Sequence, residues 1–336
     1  MKKILASIIA VVLAVSGLSV ISITANAATI FISGNYEYTV NSDDTVNIAG
    51  YKGIATDIII PSQILNKNVV KISDNSFYNN STLTSVKIPN TIKVVGSMAF
   101  HNCTKLSKVT LPSNLTEIGY NAFEGTTALT TITIPKTVTT AGNNVFNGSA
   151  LKTAAIENGA TAVADNLFSN AKNLTKVTIP NTVKKIGSMS FYDCTKLSSV
   201  TLPNTLTSIE TSAFKNCQAM KSITIPKSVT YFGTTAVGYS DGSVIDGFII
   251  YGYKNTKAQT YAIKNKITFK ALQEETVPVG DINNDGKIDV SDVTYLQMYL
   301  SGNSSYVIKN TKTADANGDG KIDVADVTKI QTIIAS

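Results

Sequence analysis

Between residues 281 and 326 the chain twice sets oxygen-bearing side chains at the same intervals. Asp281, Asn283, Asp285, Asp289 and Asp292 stand at positions 1, 3, 5, 9 and 12 of one stretch. Asp315, Asn317, Asp319, Asp323 and Asp326 stand at the same positions of a second. Position 6 is glycine in both, Gly286 and Gly320, where a tight loop needs a residue free of a Cβ. Position 7, Lys287 or Lys321, offers its backbone carbonyl while its side chain is free to face solvent. Hard oxygen donors without His or Cys favour calcium over a transition metal, and two loops imply two ions. Four carboxylates crowded into twelve residues repel one another unless a cation offsets them.

Each loop must be held by the segment on its C-terminal side. Val-Thr-Tyr-Leu-Gln-Met-Tyr-Leu comes after Asp292, and Val-Thr-Lys-Ile-Gln-Thr-Ile-Ile after Asp326, so each loop runs into one helix and neither is preceded by one. The donor spacing is that of an EF-hand calcium loop, with Asp in place of Glu at position 12. The duplicated loop-helix unit over residues 279–336 resembles a type I dockerin. The resemblance implies calcium-dependent docking onto a cohesin module of a scaffoldin, the organising protein of a cellulosome-type complex. It places the cohesin contacts at loop positions 10 and 11 and at positions 17 and 18. Those residues are Val290, Ser291, Gln297 and Met298 in the first half, and Val324, Ala325, Gln331 and Thr332 in the second. The Ser-Thr pair that some dockerins carry at positions 10 and 11 is absent.

The larger part of the chain repeats with a different period. Leu174 to Lys196, LTKVTIPNTVKKIGSMSFYDCTK, is succeeded at once by LSSVTLPNTLTSIETSAFKNCQA, a period of 23 residues. A Phe closes the copies at 77, 100, 123, 146, 168, 191 and 214, with Val237 as a degenerate last copy. Val177 and Ile179 alternate as in a short strand, and Pro180 ends it by removing a ladder donor. Gly187 is expected to permit the turn out of the returning side. One such coil cannot bury its own apolar face, so neighbours must stack into a solenoid. The pattern Lxx[VI]x[IL]Pxx[VIL]xx[IV]Gxx[AS]F over residues 57–237 resembles the BspA-like leucine-rich repeats. The expected fold is therefore a leucine-rich repeat solenoid with a parallel β-sheet, and after it a small all-α dockerin.

Position by position, the repeat predicts columns. Lys87, Thr110, Thr133, Ala155, Thr178, Thr201 and Thr224 fall on one exposed strand column, flat and hydroxyl-rich. This face is a candidate site for a protein or cell-surface ligand. It lacks the stacked aromatics that a carbohydrate platform uses. Cys103, Cys194 and Cys217 share a column with Asn80, Thr126 and Ala171, and an odd count at a core position reads as packing rather than a disulfide framework. The single His, His101, shares its column with Tyr78, Glu124, Asn147, Ser169, Tyr192 and Lys215; so variable a column reads as solvent-facing. One His in a repetitive position gives no catalytic triad, and no catalytic residue is assigned.

The ends are expected to be capped, by a β-hairpin over Tyr36 to Ile48 and by a strand, a helix from Thr256 to Lys264 and a last strand at Ile267 to Phe269. The step into the copy from Leu151 is one residue short, and that copy replaces Ile-Pro by Ile156-Glu157-Asn158-Gly159, which predicts a local kink or ladder irregularity. Lys2 and Lys3, the apolar run Ile4 to Ile23 and Ala25-Asn26-Ala27 read as a secretory signal peptide over residues 1–27, and no later stretch could span a membrane. Residues 28–271 form the capped solenoid, 272–278 a linker and 279–336 the dockerin. All 29 basic residues are Lys and they are scattered, so nothing offers the Arg forks of a nucleic-acid surface. The reading is a secreted, non-catalytic binding or adhesion protein, extracellular or held at the cell surface through a scaffoldin. The competing reading is an accessory or regulatory component acting directly in polysaccharide degradation.

Overall fold

The structure, a computed structural model, describes residues 29–273 and 278–336. The signal peptide read at 1–27 lies outside the described residues, as does most of the linker. The chain forms two compact units, divided between Leu272 and Gln273.

The first unit is a parallel β-solenoid whose coils carry strands on two sides. One begins in an antiparallel cap, Phe31–Ser33, Tyr36–Val40 and Val46–Tyr51, the last of which pairs in parallel with Lys67–Ile72. It continues through Val94–Val95, Glu117–Ile118 and Thr140–Ala141. It does not pair onward with Ala162–Val163, which starts a second ladder through Lys185–Ile186, Ser208–Ile209 and Tyr231–Phe232. The interruption falls after the step from Leu129 to Leu151, which is 22 residues where the neighbouring steps are 23. There too the rings of Phe146 and Phe168 are 5.9 Å apart, the widest step in the column of repeat Phe. The missing residue falls between Phe146 and Leu151, at the turn that joins the two coils, and their Phe rings still stack.

The other side of the coils carries the strand motif in three separate ladders. Asp57–Ile59, Ser85–Lys87 and Lys108–Thr110 pair in parallel, then Thr131–Ile134, Thr153–Ile156 and Lys176–Thr178, then Ser222–Thr224, Ile249–Gly252 and Thr268–Ala271. Two expectations are corrected here. Thr201 lies in no strand, and Lys108–Thr110 does not pair with Thr131–Ile134, so the hydroxyl column is not one unbroken ladder. The half-buried Val109 and Val200 mark these two lapses, whereas their counterparts Val86, Ile132 and Val177 are buried.

The core is a continuous stack of rings. Tyr51, Phe77, Phe100, Phe123, Phe146, Phe168, Phe191 and Phe214 succeed one another face to face, with centroids 4.9 Å apart at Phe77–Phe100 and 5.0 Å at Phe191–Phe214. Each repeat Phe sits between two left-handed residues. Asn75, Met98, Asn121, Asn144, Asn166, Met189 and Ser212 precede it by two places, all with φ between 53° and 60°. Gly187 does not make the turn that its sequence position suggested. Its φ is not positive, and an ideal Cβ would sit 2.6 Å from Val163 O of the preceding coil. The glycine is there because neighbouring backbones close on each other.

The longer first coil forms a tight antiparallel hairpin, Gln63–Ile64 with Lys67–Ile72, turning on Leu65 and Asn66 at φ 49° and 61°. At the far end the helix Lys257–Lys264 and the strand Thr268–Ala271 close the core, and an additional hairpin, Tyr239–Ser240 with Ser243–Val244, intervenes.

The second unit holds the helices Val290–Leu300 and Val324–Ala335. They bury Val293, Leu296, Val327 and Ile330 together with Ile282, Ala314 and Ala316. One expectation is corrected: a four-residue helix, Thr311–Ala314, precedes the second loop, capped by Asn310 Oδ1 accepting from Lys312 N at 3.1 Å. Among the described residues no helix is long and apolar enough to cross a membrane.

Candidate functional site: two acidic loops and a hydroxyl-rich ladder

The two acidic loops are built alike. Asp281 accepts from Gly286 N at 2.9 Å and Asp285 N at 3.2 Å; Asp315 accepts from Gly320 N at 2.9 Å and Asp319 N at 3.0 Å. Gly286 and Gly320 stand at φ 87° and 84°, the left-handed conformation that position 6 requires. Position 12 ties each loop to its helix. Asp292 accepts from Ile282 N at 2.7 Å and Asp289 N at 3.0 Å, and Asp326 accepts from Asn317 N at 3.1 Å and Asp323 N at 2.9 Å. Position 9 caps the helix: Asp289 accepts from Ser291 N and Asp323 from Ala325 N, each at 2.8 Å. The Ser291 hydroxyl and amide hold the Asp289 carboxyl below its ordinary range.

Asp281, Asp292 and Asp326 are at most 1% exposed. Among the described residues none of the three has a cationic side chain as ion partner. Buried carboxylates are otherwise paired or bound to metals. The donor set fits calcium: carboxylate and amide oxygens from Asp281, Asn283, Asp285, Asp289 and Asp292, with the Lys287 carbonyl, and the same atoms from Asp315, Asn317, Asp319, Asp323 and Asp326 with the Lys321 carbonyl. Among the described residues no three acidic, His or Cys side chains converge closely enough to cage an ion on their own. A bound cation would neutralise these carboxylates and hold loop and helix together.

The remaining predicted contact residues lie on the outside of the helices. Val290 is 67% and Val324 69% exposed, large fractions for apolar side chains. Ser291, Gln297, Ala325, Gln331 and Thr332 are exposed, and Met298 is half-buried. The two halves thus present one Val each at the entrance of a helix.

On the solenoid, Lys87, Thr110, Thr133, Thr178, Thr201 and Thr224 are all exposed. Where Lys108–Thr110 fails to pair with Thr131–Ile134, a groove of about 650 Å³ opens, lined by Val109, Leu111, Thr133, Glu157 and Lys176 among others. Glu157 Oε2 accepts from Lys136 N at 3.1 Å. The sequence signal for this site was the replacement of Ile-Pro by Ile156-Glu157; the half-exposed Val109 carried none.

The cysteines and the histidine sit where no chemistry is offered. Cys103, Cys194 and Cys217 are free and buried, and each donates its S–H to a carbonyl of an earlier coil, Phe77 O, Phe168 O and Phe191 O, at 3.1 to 3.2 Å. Burial pushes Cys103 and Cys217 up to about 12. The expectation that the His101 column faces solvent is corrected. His101, Glu124, Asn147, Tyr192 and Lys215 are half-buried and Ser169 is buried; only Tyr78, which stacks on His101, is exposed.

Comparison with known proteins bears on both units. The BspA type leucine rich repeat region matches residues 56–175 and 161–270, and the dockerin type I domain matches residues 279–334. Among solved structures, a leucine-rich repeat protein from Bacteroides ovatus is 25% identical with a TM-score of 0.52, over 72% of this chain and 67% of that one. A leucine rich cell surface protein from Faecalibacterium prausnitzii is 28% identical, TM-score 0.45, over 65% and 77%. The leucine rich repeat protein of T. pallidum is 29% identical, TM-score 0.45, over 59% and 83%. No curated protein matches. Leucine-rich repeats and dockerins are non-catalytic binding modules, and no catalytic domain is found. Dockerins bind cohesins in cellulosome-type complexes, typically bind calcium, and occur typically in extracellular or cell-surface proteins. The chain belongs to the BspA type leucine rich repeat family and carries a type I dockerin domain at residues 279–334.

Proposed function

We propose that the protein is a secreted, non-catalytic binding component. Its second unit docks it, with one calcium ion in each loop, onto a cohesin module of a scaffoldin. Its solenoid holds a protein or cell-surface partner. The observation that carries the docking half is the paired exposure of Val290 and Val324 above loops whose buried carboxylates have no cationic side chain as ion partner among the described residues. Ser291, Gln297 and Met298 complete one contact face, and Ala325, Gln331 and Thr332 the other. For the solenoid, the exposed column from Lys87 to Thr224 and the groove beside Val109 support a broad protein contact.

The test is titration of the full chain against cohesin modules with calcium and with excess chelator. Binding is expected only with calcium. The halves are offset by 34 residues and nearly identical through Lys-Ile-Asp-Val-x-Asp-Val-Thr, so each offers a similar face. Val290→Asp or Val324→Asp alone is expected to weaken binding modestly and the pair to abolish it. Cohesin binding that persists in chelator would overturn the docking assignment.

A further inference from the structure

The second ladder of the solenoid ends on aromatics. Its final strand, Tyr231–Phe232, sends Phe232 against the Tyr261 ring of the cap helix, with centroids 4.6 Å apart. Tyr231 leaves half of its surface, 51%, in water. Beside it, between this strand and the helix Lys257–Lys264, lies a groove of about 380 Å³ lined by Tyr231, Thr235, Lys257, Thr260, Lys264 and Asn265. That volume is within the range of about 300–1,000 Å³ usual for small-ligand sites. Lys257 and Lys264 are two helical turns apart, so both ammonium groups reach the same side of the groove. Neither has an ion-pair partner among the described residues. The floor is fixed: Tyr239 Oη donates to Asn265 Oδ1 at 2.7 Å, and Asn265 Nδ2 donates to Tyr261 O at 2.8 Å.

We propose that this cap groove binds an acidic sugar residue of a polysaccharide, with the sugar ring laid on Tyr231 and its carboxylate held by Lys257 and Lys264. An exposed aromatic ring offers an apolar face to a sugar's C–H groups. The threonine hydroxyls suit a polyol, and the two lysines select for charge. Phosphate is a poorer match, because this chain has no Arg with which to grip it in a bidentate fork. An extended acidic peptide is also a poorer match, because Tyr231–Phe232 is only two residues long and offers little ladder for a peptide to pair with. The site lies on the solenoid and is independent of the docking assignment.

The experiment is calorimetric titration of the full chain, calcium-loaded and freed of excess calcium, with a galacturonic acid trimer. The methyl-esterified trimer tests charge, and an Asp/Glu peptide of equal charge tests the peptide alternative. The free trimer is expected to bind, and the ester at least about tenfold more weakly. Tyr231→Ala, and Lys257→Gln with Lys264→Gln, should each weaken binding at least about tenfold. Tyr231→Phe, which keeps the ring, should retain it, and so guards against mere loss of folding in Tyr231→Ala. Lys254→Gln with Lys270→Gln, outside the groove, should leave it unchanged. The proposal is overturned if the trimer does not bind or the ester binds equally. It is also overturned if the peptide matches the trimer, or if the outer lysine pair matters as much as the inner one.

Discussion

His101 Nδ1 lies 3.2 Å from Glu124 Oε2, one coil further along the solenoid. One coil back, Tyr78 lies flat against the imidazole, centroids 5.0 Å and planes 4° apart, and Glu124 Oε1 accepts from Asn147 Nδ2 at 2.7 Å. Four successive coils are thereby joined through side chains at one position. His101→Ala removes a ring contact and a close side-chain approach to the next coil, so it should destabilise the solenoid by about 1 kcal/mol in denaturant titration. A cost under about 0.3 kcal/mol would show that the column is not a working contact.

Phe123 is fully buried, with ring neighbours on both sides at 5.2 and 5.6 Å. Phe123→Ala opens a cavity in the middle of the stack. The expected loss is about 3–5 kcal/mol, several times that at His101, measured in the same titration.

Met189 stands at φ 53° and is 42% exposed, in a column where Asn166 takes the same conformation at φ 60°. A left-handed backbone costs an ordinary residue about 1–2 kcal/mol, and Asn much less. Met189→Asn should therefore stabilise the solenoid by about 1 kcal/mol, while Asn166→Ala should destabilise it by a similar amount. A lower melting temperature for Met189→Asn would contradict this.

The Cys217 thiol is raised from 9.0 to about 12, chiefly by burial. Its neutral form is held in the folded state while the unfolded thiol ionises near 9.0, so this contribution is complete below that pH and is lost as pH rises toward about 12. Cys217→Ala should accordingly cost more stability at pH 8 than above pH 10. In the native protein all three thiols should resist alkylation at pH 8, and rapid labelling of any one would show that its burial is wrong.

Removing calcium should dissolve the helical signal of residues 279–336 and leave the sheet signal of the solenoid intact. Circular dichroism with and without chelator reads both. Helicity that survives excess chelator would overturn the calcium assignment of the loops.

The sequence by itself determined whatever depends on periodicity and donor order. A Phe every 23 residues requires stacked coils, because one coil has no core of its own. Asp, Asn and Gly at loop spacing require a tight oxygen-lined turn, and Gly286 and Gly320 adopt the backbone that this demands. The short step into Leu151 foretold the break between Thr140–Ala141 and Ala162–Val163. Tertiary structure alone decided how each coil meets its neighbours. The lapse beside Val109 depends on strand separation, which side-chain order does not encode. Gly187 proved to be a point of backbone contact rather than a turn, and that is visible only once Val163 O is in place across the coil boundary. The Tyr231 groove exists because a cap helix some 26 residues later, beginning at Lys257, closes over the last ladder strand. A repeat pattern fixes what each position faces within its own coil, but contacts at the end of the stack depend on a cap that does not repeat.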